Sequence, residues 1–217
     1  MLEAALLQIS GRHCPVTGSG RTDSGVHATG QVISFELAWP HGVDALQRAM
    51  NAHLPPDIAV QACRPAPAGF HPRFSARWRM YEYLIFNHPQ RSPLRRHRSW
   101  HVRRALDLER MKAAAALLPG VRDFATFGTP PQGNNTVREL FRADWQQQGE
   151  YLKFTVQANA FLYRMVRSLV SSLKAVGDGS WTVTDFQQAL SACDRRRAAG
   201  TAPAHGLYLI KVDYNGF

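Results

Sequence analysis

Apolar residues fall at helical spacing through residues 2–9, and the pattern stops at Ser10-Gly11, where a glycine favours a turn. A glycine-rich loop follows from Thr17 to Gly30. Beyond it Ile33, Phe35 and Leu37 alternate with Ser34 and Glu36, so residues 31–37 are expected to form a half-buried strand. Val43, Leu46, Met50 and Leu54 share a helical face that ends at Pro55-Pro56, which predicts a helix over 43–54. A short strand is expected at 58–63. The Pro-rich basic stretch 64–77 then reads as a connection, and the boundary between two halves, 1–64 and 65–217, is expected at its start.

In the second half, residues 78–87 alternate: Met80, Glu82, Leu84 and Phe86 take one side, and Tyr81, Tyr83 and Ile85 the other. Residues 91–104, dense in Arg and His, are expected to form an exposed basic loop. Asp107 has the position of a cap for a helix through Leu108, Met111, Ala115 and Leu118. Residues 137–147 and 151–158 read as strands of one hairpin turning at Gly149-Glu150. A long helix is expected over 161–176 and another from a cap at Thr184 to Cys193, with a closing strand at 207–214. Hairpins mixed with helices, without strict β-α-β alternation, indicate the α+β class, and no repeat of solenoid type is present.

Composition adds little to this outline, but charge adds much. The 217 residues are 45% hydrophobic, enough for a sizeable core without staples. Cys14, Cys63 and Cys193 lie far apart with no Cys-x-x-Cys spacing, so they are expected as buried free thiols, with no metal site and no disulfide framework. The N-terminus carries Glu3 where a secretory signal would be basic, and no stretch reaches transmembrane length. A soluble cytoplasmic protein is expected. Against this background, 26 Lys+Arg face 16 Asp+Glu, a net charge of +10 that favours a polyanionic partner through counterion release. Most of these cations are arginines, which fork onto phosphates and stack on bases better than lysines do.

One segment carries candidate chemistry. Gly18-Ser19-Gly20-Arg21-Thr22-Asp23-Ser24-Gly25 sets a carboxylate among glycines, two positions after an arginine. Glycines permit close backbone approach to a ligand, and a guanidinium nearby keeps a carboxylate ionised and able to act as a nucleophile. From spacing alone, an ordinary turn aspartate is the simpler reading.

Gly20-Arg21-Thr22-Asp23-Ser24-Gly25-Val26-His27 resembles the signature of the tRNA pseudouridine synthase A family, with Ser24 standing where the pattern has Ala. Further segments resemble the family in the same order: Phe70-His71-Pro72-Arg73-Phe74-Ser75-Ala76, Tyr81-Glu82-Tyr83, Asp123-Phe124-Ala125-Thr126-Phe127, residues 158–167, and Gly206-Leu207-Tyr208-Leu209. The resemblance implies that Asp23 is the nucleophile, that Tyr81 stacks on the target base and that Arg167 pairs with the carboxylate. It places Arg21, His27 and Arg73 among the substrate-binding residues. It further implies a homodimer that grips tRNA and modifies uridines 38–40 of the anticodon stem-loop, in a fold of two similar ferredoxin-like halves, each an antiparallel sheet with helices on one face, around a basic cleft. Uridine isomerisation has no redox change, so no cofactor is expected. Read without the resemblance, Tyr81 is by default a core or sheet-surface tyrosine and Arg167 a solvated helix arginine.

Two rival functions come from different classes. Asp23-Ser24-Gly25 contains the triplet of an aspartic protease, which would require a second carboxylate to share a proton. The family's chain begins with a strand bearing Asp-Gly and Gly-Trp-Gln, whereas this sequence starts within the helix that follows. The second rival is therefore a catalytically impaired tRNA-binding remnant of the same family, in which neighbouring strands lack a hydrogen-bond partner.

Overall fold

A computed structural model describes residues 1–215. In chain order these form α1 (Leu2–Ser10), β1 (Thr17–Gly18), β2 (His27–Ala28), β3 (Ile33–Ser34), α2 (Val43–His53), β4 (Ala76–Asn87), β5 (Trp100–Val102), α3 (Leu108–Ala115), β6 (Gly120–Asp123), β7 (Val137–Gln148), β8 (Tyr151–Ala158), α4 (Met165–Gly177), α5 (Val183–Ser191) and β9 (Leu207–Tyr214). The protein is mixed α and β. Two compact units divide it, one made of residues 1–21 with 32–76, the other of 22–31 with 77–217. The segment around Asp23 thus leaves the chain that flanks it and packs with the second unit.

In the first unit, Leu6 of α1 and Leu46 and Met50 of α2 enclose a small core with Cys14, flanked by Ile9, Val16, Phe35, Leu37, Val60 and Cys63. Gly11 ends α1 at φ 68, a left-handed conformation in which its N–H donates to Leu7 O at 2.8 Å. The expected strand over 31–37 pairs only at Ile33–Ser34, against Thr17–Gly18. No strand forms over 58–63, because side chains of α2 take the place of a ladder there. Asn51 Nδ2 donates to Val60 O at 2.9 Å while Val60 N–H donates to Asn51 Oδ1 at 2.7 Å, and Gln47 Nε2 donates to Val60 O and Gln61 O. The backbone groups of Val60 and the carbonyl of Gln61 are thus satisfied without a partner strand.

The second unit holds a seven-stranded sheet in the order β2-β9-β4-β8-β7-β6, with β5 also on β4. The sheet is mixed rather than purely antiparallel, since the two short strands β2 and β5 enter from loops and pair in parallel with β9 and β4. The long β4, β7 and β8 pair antiparallel. Tyr83, Ile85, Trp145 and Phe154 of the sheet meet Met111, Leu169, Leu173 and Phe186 of the helices in one core. Burial of such side chains contributes about 1.5–3 kcal/mol each.

Local departures from the expected pattern have identifiable causes. α4 begins at Met165 rather than at 161, because Arg164 sits at φ 60 and the preceding residues are tied elsewhere: Tyr163 N–H donates to Thr129 O at 2.8 Å. Gly128 allows that contact, since a Cβ there would lie 2.5 Å from Leu162 Cβ. α5 is capped by Thr182, not Thr184, in a reciprocal capping box with Asp185. The segment 91–104 is not wholly an exposed loop: it contains a 3₁₀ turn at Pro93–Arg95, buried Ser99 and β5. Of the three free thiols only Cys14 is buried; Cys193 is exposed.

Candidate active site

The second unit supports Asp23 through β9. β2 pairs with it at His27↔Tyr208 and Ala28↔Leu209, and the N–H groups of Thr29 and Gly30 both donate to Leu209 O, at 2.9 and 3.1 Å. Gly30 is required by this approach, since a Cβ there would lie 2.1 Å from Ile210 O. Between Asp23 and β2, the Asp23 carbonyl accepts from Val26 N–H at 3.1 Å, closing a turn with Gly25 at φ 83. Val26 packs into the core. The aspartate therefore projects from a closed turn that leads directly into a strand fixed on β9.

Its carboxylate meets α4. Arg167 Nη1 donates to Asp23 Oδ2, and the two side chains are only 15% and 18% exposed, respectively. Arg167 is not a solvated helix arginine. Its Nε donates to Ala202 O at 2.7 Å and its backbone carbonyl accepts from Ala202 N–H at 3.0 Å, so the guanidinium has little freedom to leave the carboxylate. A charge-assisted contact of this kind, shielded from water, is stronger than a surface pair.

Tyr81 stands on β4 in the same unit, half-buried, with its ring edge-on to Phe161 at 5.0 Å and 87°. Burial pushes its phenol up to about 12; the Arg79 charge opposes this and the Asp23 charge adds to it. The phenol stays protonated through neutral pH, as a flat neutral surface beside a charged pair. Tyr83, two residues on, is fully buried, and its hydroxyl donates to Pro203 O at 2.8 Å.

The remaining expected residues lie as follows. His27 is in the second unit, stacked on Tyr208 at 4.7 Å, with its Nε2 at 2.8 Å from His97 O. Arg21 and Arg73 belong to the first unit; Arg21 is exposed, and the Arg73 guanidinium lies 5.4 Å from the Phe74 ring centre. Residues that the sequence reading did not single out include Tyr83 and the carbonyls of Ala202 and Pro203. Backbone carbonyls leave no signal in a sequence, and Tyr83 resembles any core tyrosine at strand spacing. Among the described residues no group of three or more His, Cys, Asp or Glu is placed to hold a metal ion, and no helix is long and apolar enough to cross a membrane.

A carboxylate held by a guanidinium in a sheltered site can attack or stabilise an electron-poor carbon. It is not the arrangement of an aspartic protease, where the carboxylate's partner is a second carboxylate. The model of a family described as tRNA pseudouridine synthase matches residues 1–75 and 114–215. A tRNA pseudouridine synthase A of Beijerinckia indica is 45% identical over 218 residues, covering 99% of this chain and 83% of that protein. One of Afipia carboxidovorans is 41% identical over 98% of this chain and 88% of its own length. One of Klebsiella pneumoniae is 42% identical, with 98% and 79% covered. With most of its length matched by the family and two-fifths or more of its residues shared with these relatives, the chain belongs to the tRNA pseudouridine synthase family.

Proposed function

We propose that this chain isomerises uridine to pseudouridine in folded tRNA, with Asp23 as nucleophile, Arg167 as the cation paired with its carboxylate and Tyr81 as the surface on which the base rests. The observation that carries this reading is the sheltered Asp23–Arg167 pair on a turn tied to β9. In the reaction the N1–C1′ bond of uridine breaks, the base rotates, C1′ bonds to C5, and the proton on C5 is lost while N1 gains one. Asp23 attacks the sugar or the base, or stabilises the opened glycosidic bond, and Tyr81 retains the detached base in the pocket. The nucleotide must be extruded from its stack, at a cost of a few kcal/mol supplied by binding. The test is direct: unmodified tRNA labelled with tritium at uridine C5 releases one tritium to water for each pseudouridine formed. Unlabelled water after long incubation with the protein would reject the reading.

The substrate region in this proposal is the anticodon stem-loop, on the 3′ side of the anticodon, and the working form is a cytoplasmic homodimer of subunits built from two ferredoxin-like halves around a basic cleft. The net charge of +10 and the family relationship support it. Arg21, Arg73 and His27 are assigned to holding the RNA, His27 through the loop it ties down.

Binding is expected to be strongly electrostatic. Within 91–104, Arg95 is committed to structure, paired with Glu150 and lying over the rings of Phe86 and Tyr151 at 4.5 and 4.9 Å. Exposed Arg91 and Arg96 are the better candidates for phosphate contacts. Replacing both with Ala should flatten the dependence of log affinity on log salt by roughly one unit per lost contact. Titration of tRNA at several salt concentrations measures this, and an unchanged slope would remove the loop from the interface.

Tyr81→Leu keeps bulk but loses the flat ring. It should weaken retention of the flipped base by about 1–3 kcal/mol, read as a fall in turnover of about tenfold or more. Tyr81→Phe should retain most of the activity, since the phenol is neutral throughout the working pH range. Single-turnover rates of the two variants decide between stacking and a proton-transfer role for the hydroxyl.

A further inference from the structure

The reading of Asp23 and Arg167 leaves unexplained why a fully buried tyrosine hydroxyl lies in the same neighbourhood. Tyr83 donates to Pro203 O at 2.8 Å, and its ring lies flat against Gly206, where a Cβ would come within 2.6 Å of Cζ.

The segment between these contacts runs along α4, fastened at each step. Ser171 Oγ donates to Ala199 O at 3.0 Å, and Ala199 N–H donates to Ser172 Oγ at 3.2 Å. Ser168 Oγ donates to Gly200 O at 3.1 Å and accepts from Arg195 Nη1 at 2.8 Å. Ala202 then holds Arg167 at two points, its backbone carbonyl and its Nε. Proline has no N–H, so the carbonyl of Pro203 is its one hydrogen-bonding group, and Tyr83 takes it.

We propose that Tyr83 is a positioning residue for the reaction: by holding Pro203 O it fixes the adjoining Ala202 carbonyl, which in turn directs the Arg167 guanidinium onto Asp23. This inference rests on the proposed roles of Asp23 and Arg167. Without the Tyr83 hydroxyl, Pro203 loses a tether, and because its ring fixes φ the Ala202 carbonyl shifts with it and Arg167 Nε follows. The guanidinium then meets the carboxylate in a spread of geometries, of which few suit the reaction. A hydroxyl that served packing alone would affect stability and leave the rate of folded protein unchanged.

The test uses the full chain and Tyr83→Phe. In single-turnover pseudouridine formation the rate constant is expected to fall about 10- to 100-fold, while the dissociation constant for tRNA stays within about twofold, because no RNA contact is removed. The second readout is independent of activity. In nitrogen-15 spectra the Arg167 Nε–H, identified by its loss in Arg167→Met, should exchange with water at least about tenfold faster in Tyr83→Phe, whereas the Arg142 Nε–H, which is paired with Asp144, should not change. An unaltered Arg167 exchange rate, or a parental rate constant in folded Tyr83→Phe, would overturn the proposal. Should the variant fail to fold, the parental protein still decides: the Tyr83 hydroxyl proton and Arg167 Nε–H must show one common protection from exchange, and unequal protection overturns it. Failure of the underlying reading is distinguished by Arg167→Met, whose turnover would then be parental whatever Tyr83 does.

Discussion

Arg167→Met is expected to reduce turnover by about 100-fold or more while the fold and tRNA binding persist. Methionine preserves the length and apolar packing of a side chain on α4, whose neighbours Val166, Leu169 and Val170 are buried. What it removes is the donor to Asp23 and the Nε contact with Ala202. The carboxylate would then lose the guanidinium that holds its orientation in the sheltered site. Ala202 O would also lose a donor, so a modest loss of stability accompanies the effect. Because Arg167 is mostly buried and engaged with protein groups, affinity for tRNA should change little. Steady-state kinetics with a parallel binding titration and a thermal melt separate these effects. Wild-type turnover in folded Arg167→Met would assign the ion pair to structure alone.

Much of the fold was legible because it rests on local patterns. The alternation in β4, the hairpin of β7 and β8 and the closing strand β9 follow the period of two, and α1, α2 and α3 follow helical spacing with identifiable ends. The patterns failed where tertiary contacts decide. Residues 58–63 have strand character, yet Asn51 and Gln47 satisfy their backbone from the side. Phe161 and Tyr163 continue the apolar face of α4, yet the tie to Thr129 and the left-handed Arg164 hold them outside the helix. Short strands such as β2 and β5 exist only because a long neighbour offers an open edge, and no two- or three-residue sequence announces that.

The candidate site divides in the same way. Asp23 could be singled out from its glycines and arginine, and its proposed role as nucleophile rests on the resemblance of the surrounding segments. Its partner could not be found by spacing, because Asp23 and Arg167 are 144 residues apart and the nearer Arg21 lies in the other compact unit. Nor does any pattern show that segment 22–31 packs with β9, since a glycine-rich loop has no periodicity. The layer behind the ion pair, from Ser168 through Ala202 to Tyr83, consists mostly of backbone carbonyls and becomes visible only in three dimensions.

Asp23→Asn tests the central claim most directly. Asparagine keeps the shape of the side chain and an acceptor for Arg167 Nη1, so the turn closed by Val26 and the pairing with β9 should survive. It removes the negative charge required for attack on the sugar or base, or for stabilising the opened glycosidic bond. Binding of tRNA should be unchanged or slightly tighter, because a charge that repels phosphate is gone. An RNA-binding protein without catalysis would give no product in either form, and a protease would be indifferent to tRNA. The measurement is to incubate parental and Asp23→Asn protein with unmodified tRNA and map pseudouridine at single-nucleotide resolution. The account predicts pseudouridine on the 3′ side of the anticodon with the parental protein and none with Asp23→Asn. Product from Asp23→Asn at the parental rate would contradict it.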